Sequence, residues 1–121
     1  MSFQLSKIIA PQFVSNAAAA LSLTVDGAGT TAAAVPVLTS LSLWTCRFTN
    51  VSGAPVTLTV YRGTVAAANK VINAISIPVA TANNPYFAWD PGYQLAAGES
   101  IWALAGTANA LVVTGDGGIS T

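Results

Sequence analysis

The feature that most constrains this chain is the run from Leu41 to Arg62, LSLWTCRFTNVSGAPVTLTVYR. In its second half Val56, Leu58 and Val60 alternate with Thr57, Thr59 and Tyr61. That period of two puts successive side chains on opposite faces of a half-buried strand. The first half also alternates but changes phase, with Leu41 and Leu43 odd and Trp44, Cys46 and Phe48 even. A bulge or strong twist near Leu43–Trp44 is therefore expected. Asn50-Val51-Ser52-Gly53-Ala54 has turn chemistry, so the two strands are expected to form a hairpin at the centre of a two-sheet β domain.

The flanking segments follow the same grammar. In residues 1–15, Phe3 and Leu5 alternate with polar neighbours, Ile8-Ile9 follow, and Pro11 stops regular pairing. This segment is expected to be either an outer strand of its own domain or an arm reaching a neighbouring subunit. Residues 16–121 are expected to form the sandwich domain. Ala17–Ala20 favours helix by propensity, yet Leu21, Leu23 and Val25 alternate with Ser22 and Thr24 before the turn Asp26-Gly27-Ala28-Gly29. A strand over Ala20–Val25 is expected, then an extended Thr30–Val37. Gly63–Asn69 is expected to be a loop or one short helical turn.

Further on, Lys70–Val79 is expected as a strand with Val71, Ile75, Ile77 and Val79 on one side, at an edge because of Pro78. Tyr86–Trp89, Ile101–Ala105 and Ala110–Thr114 complete the strands, with Gly115-Asp116-Gly117-Gly118 closing the fold. About eight short strands at spacings of roughly 8–12 residues, with no βαβ alternation, predict a single antiparallel β-sandwich. Jelly-roll and immunoglobulin-like topologies both satisfy this pattern.

Charge narrows the range of partners. Charged residues make up 7% of the 121, against about 25% in an average soluble domain. The eight are Lys7, Asp26, Arg47, Arg62, Lys70, Asp90, Glu99 and Asp116, and they cancel. A surface this poor in charge has little electrostatic protection against association. It suits either a Thr/Ser/Asn-coated domain or, preferably, one partly covered by other protein in an oligomer or shell. Four scattered basic residues make no patch for nucleic acid or anionic lipid. The longest uncharged apolar stretch, around Ala17–Leu23, is broken by serines and threonine and falls short of a membrane span, and MSFQLSKIIAPQF lacks the pattern of a secretory signal. Synthesis in a cytoplasm is expected, and the Asn50-Val51-Ser52 sequon is taken as turn chemistry.

Catalytic chemistry finds few candidates. Histidine is absent, so the base that usually activates Ser or Cys nucleophiles near neutral pH is missing. Cys46 alternates with Trp44 and Phe48 as a small core hydrophobe, and a single cysteine forms no intrachain disulfide. Each acid sits in or beside a turn: Asp26, Asp90, Glu99 and Asp116. One acid in the Asp116-Gly117-Gly118 loop does not make the six to eight ligands calcium takes. No catalytic residue, cofactor or metal site is expected, and the chain is not expected to be an enzyme. Trp44, Trp89 and Trp102, with Tyr61, Tyr86, Tyr93 and Phe87, suit core or interface packing, with a sugar-stacking platform as the alternative.

The succession SLWTCRFTNVSGAPVTLTVY (Ser42–Tyr61), NAISIP (Asn73–Pro78) and FAWDPGYQLAAGESIWALAGTANALVVTGDG (Phe87–Gly117) resembles small β-sandwich virion structural proteins of tailed bacteriophages. Their pattern is a "TNTSGAPVTVTLY"-like strand pair, an "LSIP" strand, then "LxAGDSIxAxASxANAVxVxxSG". It is matched by Thr49–Ala54, by Ile75-Ser76-Ile77-Pro78 and by Leu95-Ala96-Ala97-Gly98-Glu99-Ser100-Ile101, with Glu99 in place of the usual Asp. The likeness covers about residues 38–117, and the stretch before Leu38 lacks the family's "YTVPAG" entry.

The resemblance implies a capsid decoration (cement) protein on the capsid exterior, made in the host bacterial cytoplasm. A homo-oligomer, favoured as a trimer, would contact the major capsid protein or other virion proteins. A tail, baseplate or fibre component, or a carbohydrate-binding module for the host surface, are the alternatives. Phe3, Leu5, Ile8 and Ile9 are the residues expected to contact a partner.

Overall fold

Alternation and turn chemistry resolve into eleven strands and one 3-10 turn over residues 3–121, the residues that the computed structural model describes. In chain order these are β1 (Phe3–Phe13), β2 (Ala19–Ala20), β3 (Leu23–Thr24), β4 (Thr31–Ala32), β5 (Ser40–Asn50) and β6 (Val56–Arg62). The turn Ala67–Asn69 follows, then β7 (Lys70–Ile77), β8 (Tyr86–Trp89), β9 (Tyr93–Leu95), β10 (Ile101–Ala105) and β11 (Leu111–Ser120). One sheet runs β1-β11-β5-β8 with β9 also on β5, the other β2-β10-β6-β7, and β3-β4 is a separate ribbon.

β8 and β9 pair with opposite halves of β5, Trp89 facing Cys46 and Tyr93 facing Leu43. Asp90-Pro91-Gly92 thus interrupts what is otherwise a single edge strand. With those two halves taken as one and the ribbon set aside, the sheets run 1-8-3-6 and 2-7-4-5, all antiparallel. This is the connectivity of a jelly roll. Of the two topologies that the sequence permits, the immunoglobulin-like one is excluded. One core draws on both sheets, with Ile9, Leu43, Phe48 and Leu111 from the first and Leu58, Val60, Ile77 and Ile101 from the second.

The central strand pair differs from expectation. β5 and β6 do not pair; they lie in different sheets, and Asn50–Ala54 is a corner between layers. Asn50 is only 1% exposed and pins that corner. Its Nδ2 donates to the carbonyls of Ala54 (2.8 Å) and Ile77 (3.2 Å), and its Oδ1 accepts from the N–H (2.8 Å) and hydroxyl (2.7 Å) of Ser52. A buried amide must be satisfied in this way, and satisfying it ties β5 to the end of β7.

The bulge falls where the phase changes. Asp116 faces Thr45 while Gly117 faces Leu43, so Trp44 is the extra residue on β5. Leu41, Leu43, Cys46 and Phe48 all turn inward as a result, and Trp44 turns out. β7 carries a second break. Ala74 at φ +50° donates its N–H to Thr59 Oγ1 and shifts the phase, so Ile72 and Ile77 are buried while Val71 is exposed. The expected common face of Val71, Ile75, Ile77 and Val79 is not formed. The expected strand Ala20–Val25 is split into β2 and β3, on different partners.

β11 runs straight through the glycines that were expected to end the fold. A Cβ on Gly115 would lie 3.0 Å from Cys46 Sγ and 3.2 Å from both Ile9 Cδ1 and Leu43 Cδ1. One on Gly117 would strike the Ser42 carbonyl, and one on Gly118 the Phe3 ring. Here glycine marks close approach within a strand, not a turn.

The segment expected as an arm or outer strand is β1, an edge strand antiparallel to β11; its first two residues lie outside the described region. Register shifts between Ser6 and Ile9 and between Ile9 and Gln12 allow the adjacent Ile8 and Ile9 both to face the core, where each is 0% exposed.

Candidate docking and ligand face

Of the four residues expected to contact a partner, Ile8 and Ile9 are therefore corrected. They fill this chain's own core, and an aspartate at either position would put a charge there. Phe3 (55% exposed) and Leu5 (71%) remain on the surface. They sit where β1 begins, because Phe3 faces Ser120 of β11, which in turn faces Ser40 of β5. Three and two residues before Ser40, Val37 and Leu38 are exposed at the same end of the sheet, Leu38 being 92% exposed at φ +60°. A leucine rarely adopts that left-handed conformation, and such strain clusters at functional positions. Four large apolar side chains are thus presented at one end of the five-stranded sheet. Nothing in the local sequence pattern singled out Val37 and Leu38.

The outer face of the same sheet has a different character. Phe3 lies over Gly118 on the intervening strand and meets Trp44, ring centroids 6.1 Å apart and tilted by 33°. Next along the face, Asp116 stands opposite Thr45, and Thr114 and Ala88 flank Arg47. These residues line an open depression of about 320 Å3. Lys7 approaches Asp116 at 3.9 Å, and the Arg47 guanidinium lies 3.9 Å above the centre of the Tyr86 ring. Trp44 adjoins this lining as the chain neighbour of Thr45, and Tyr86 adjoins it through Arg47; neither ring is part of the lining itself.

Cys46 lies at the floor of this depression with its thiol in the core. Burial, then the nearby charges of Asp116 and Asp90, push its pKa up to about 12. Such a thiol has almost no thiolate at neutral pH and is a packing group.

Two of the other acids, Asp26 and Glu99, are engaged locally. Asp26 Oδ1 accepts from the N–H groups of Ala28 (2.9 Å) and Thr30 (3.0 Å). Glu99 accepts from the Ala96 N–H (2.8 Å) and approaches Arg62 at 3.5 Å. No three His, Cys, Asp or Glu residues are grouped to hold a metal among the described residues, and no helix there is long and apolar enough to cross a membrane.

Trp102 and Trp89 play structural parts. Trp102 Nε1 donates to Ser100 Oγ (2.9 Å), and Trp89 stands edge-on to Tyr93 at 5.6 Å. Trp44 is thus the most open of the three indoles. No family model and no curated protein matches this chain.

Proposed function

We propose that this chain is a structural protein of a phage virion, a decoration protein that oligomerises and clamps neighbouring subunits on the capsid exterior. The observation that carries the proposal is the apolar end of the five-stranded sheet. Phe3, Leu5, Val37 and Leu38 are all exposed there, in a chain whose charges cancel. Covering such side chains is worth roughly 25 cal/mol per Å2 before the costs of association. The resemblance over residues 38–117 supports the same reading, and jelly rolls recur in capsid domains, although fold alone does not fix function.

Heads of the parent phage, prepared without this protein, provide the test. Purified chain is expected to sediment saturably with them and to raise their resistance to heat. Leu38→Asp together with Leu5→Asp, changing only exposed side chains, is expected to abolish both effects while the melting transition stays in place. Saturable binding to isolated tails alone would move the protein to the tail. Binding to neither would overturn the proposal.

A further inference from the structure

We propose that the outer face of the five-stranded sheet holds a binding site for a neutral glycan, centred on the depression between Trp44 and Tyr86. The inference goes beyond virion attachment and shares with it only Phe3, which here supports Trp44.

Several observations meet at this place. The depression of about 320 Å3 is close to the lower limit for small-ligand sites and is sized for one or two sugar rings. Trp44 is 46% exposed and held from the side by Phe3, so its indole is a preorganised apolar plate. The C–H face of a pyranose packs on such a plate, and aromatic side chains supply that area at low entropic cost.

Beside it, Thr45, Thr114, Asp116 and Arg47 offer hydroxyls, a carboxylate and a guanidinium, a set that donates to and accepts from sugar hydroxyls. The lining of the depression carries one charge of each sign, Arg47 and Asp116. Lys7 approaches Asp116, and Arg47 is stacked on Tyr86. A lining with one charge of each sign suits a neutral polyhydroxylated ligand, because its carboxylate opposes an anion. The placement is also selective, because a chain with only eight charged residues puts Lys7, Arg47 and Asp116 together on this one surface.

Sheet construction keeps the plate open. The bulge that makes Trp44 the extra residue on β5 turns the indole outward, and Gly118 lets Phe3 reach it across β11. A regular strand would have placed Trp44 on the inner face with Leu41 and Leu43 out of phase.

The test is saturation-transfer NMR and calorimetric titration of the full chain with a panel of neutral glycans (maltooligosaccharides, dextran, mannan, galactan and cello-oligosaccharides) and with sulfated dextran as the anionic comparison. At least one is expected to bind. Trp44→Ala and Asp116→Asn are each expected to weaken that binding tenfold or more, with Trp102→Phe as the unaffected control. Both variants alter exposed side chains, so an unchanged melting curve shows that the fold is retained. Three results would overturn the inference: no binding across the panel at about 10 mM sugar, binding that survives both variants, or binding of sulfated dextran alone. Each leaves attachment to heads unaffected, so the two proposals fail separately.

Discussion

Replacing Asn50 with alanine removes the pin between the two sheets. Four hydrogen bonds converge on its side chain. The N–H and hydroxyl of Ser52 are near the surface and can turn to water, at about 0.5 kcal/mol each. The Ile77 carbonyl loses a donor in a buried setting, costing about 1–2 kcal/mol, and the lost Ala54 contact adds about 0.5 kcal/mol. The sum is about 3 kcal/mol. In a domain of this size that lowers the melting temperature by about 10 °C.

Urea unfolding followed by tryptophan fluorescence reads the difference directly, with an unchanged slope expected if only stability moves. Ser52→Ala should cost about 1 kcal/mol. Asn73→Ala, an exposed asparagine on β7, should stay within about 0.5 kcal/mol. If Asn50→Ala lost less than about 1 kcal/mol, Asn50 would not be what fixes the corner.

Three further outcomes follow from the packing. Gly117→Ala drives a Cβ into the Ser42 carbonyl, a backbone group that cannot swing away; it should destabilise by about 2–4 kcal/mol or prevent folding, measured by the same unfolding curves. Ile9→Ala should cost about 2–5 kcal/mol as a core truncation, whereas a partner-contact role would leave the isolated chain's stability unchanged. Cys46, with its pKa raised to about 12 by burial and by Asp116 and Asp90, should resist thiol reagents at pH 8 in the native state. It should react at the rate of a free thiol once unfolded; rapid native labelling would contradict its placement.

The parts of the fold that local pattern governs were legible. The phase change at Trp44 announced its bulge, because period-two alternation can switch parity only by inserting a residue. The all-β character and most strand positions came from the same alternation. What depended on distant partners was hidden. Asn50-Val51-Ser52-Gly53-Ala54 has one composition whether it closes a hairpin or turns a corner between sheets, and the choice rests on the Ile77 carbonyl, 27 residues away. The glycines of β11 resembled a terminating turn because the side chains and backbone that require them belong to β1 and β5.

Residues 1–15 suit either an outer strand or an arm by local pattern, because two adjacent apolar residues such as Ile8-Ile9 cannot both face inward from a regular strand, and the register shifts that permit it lie in the pairing with β11. Of the expected contact residues, Phe3 and Leu5 keep an exposed position; Val37, Leu38 and the Trp44 face emerge only from register and burial. Leu38 in particular carries no local signal, since its strain is a property of the backbone conformation.

The most direct test of the central proposal is to locate the chain on intact particles of the parent phage by gold-labelled antibody and electron microscopy. Regular labelling over the head surface is expected, lost when the gene is deleted and restored by adding purified protein. Labelling confined to the tail, or particles bearing none of the protein, would contradict it.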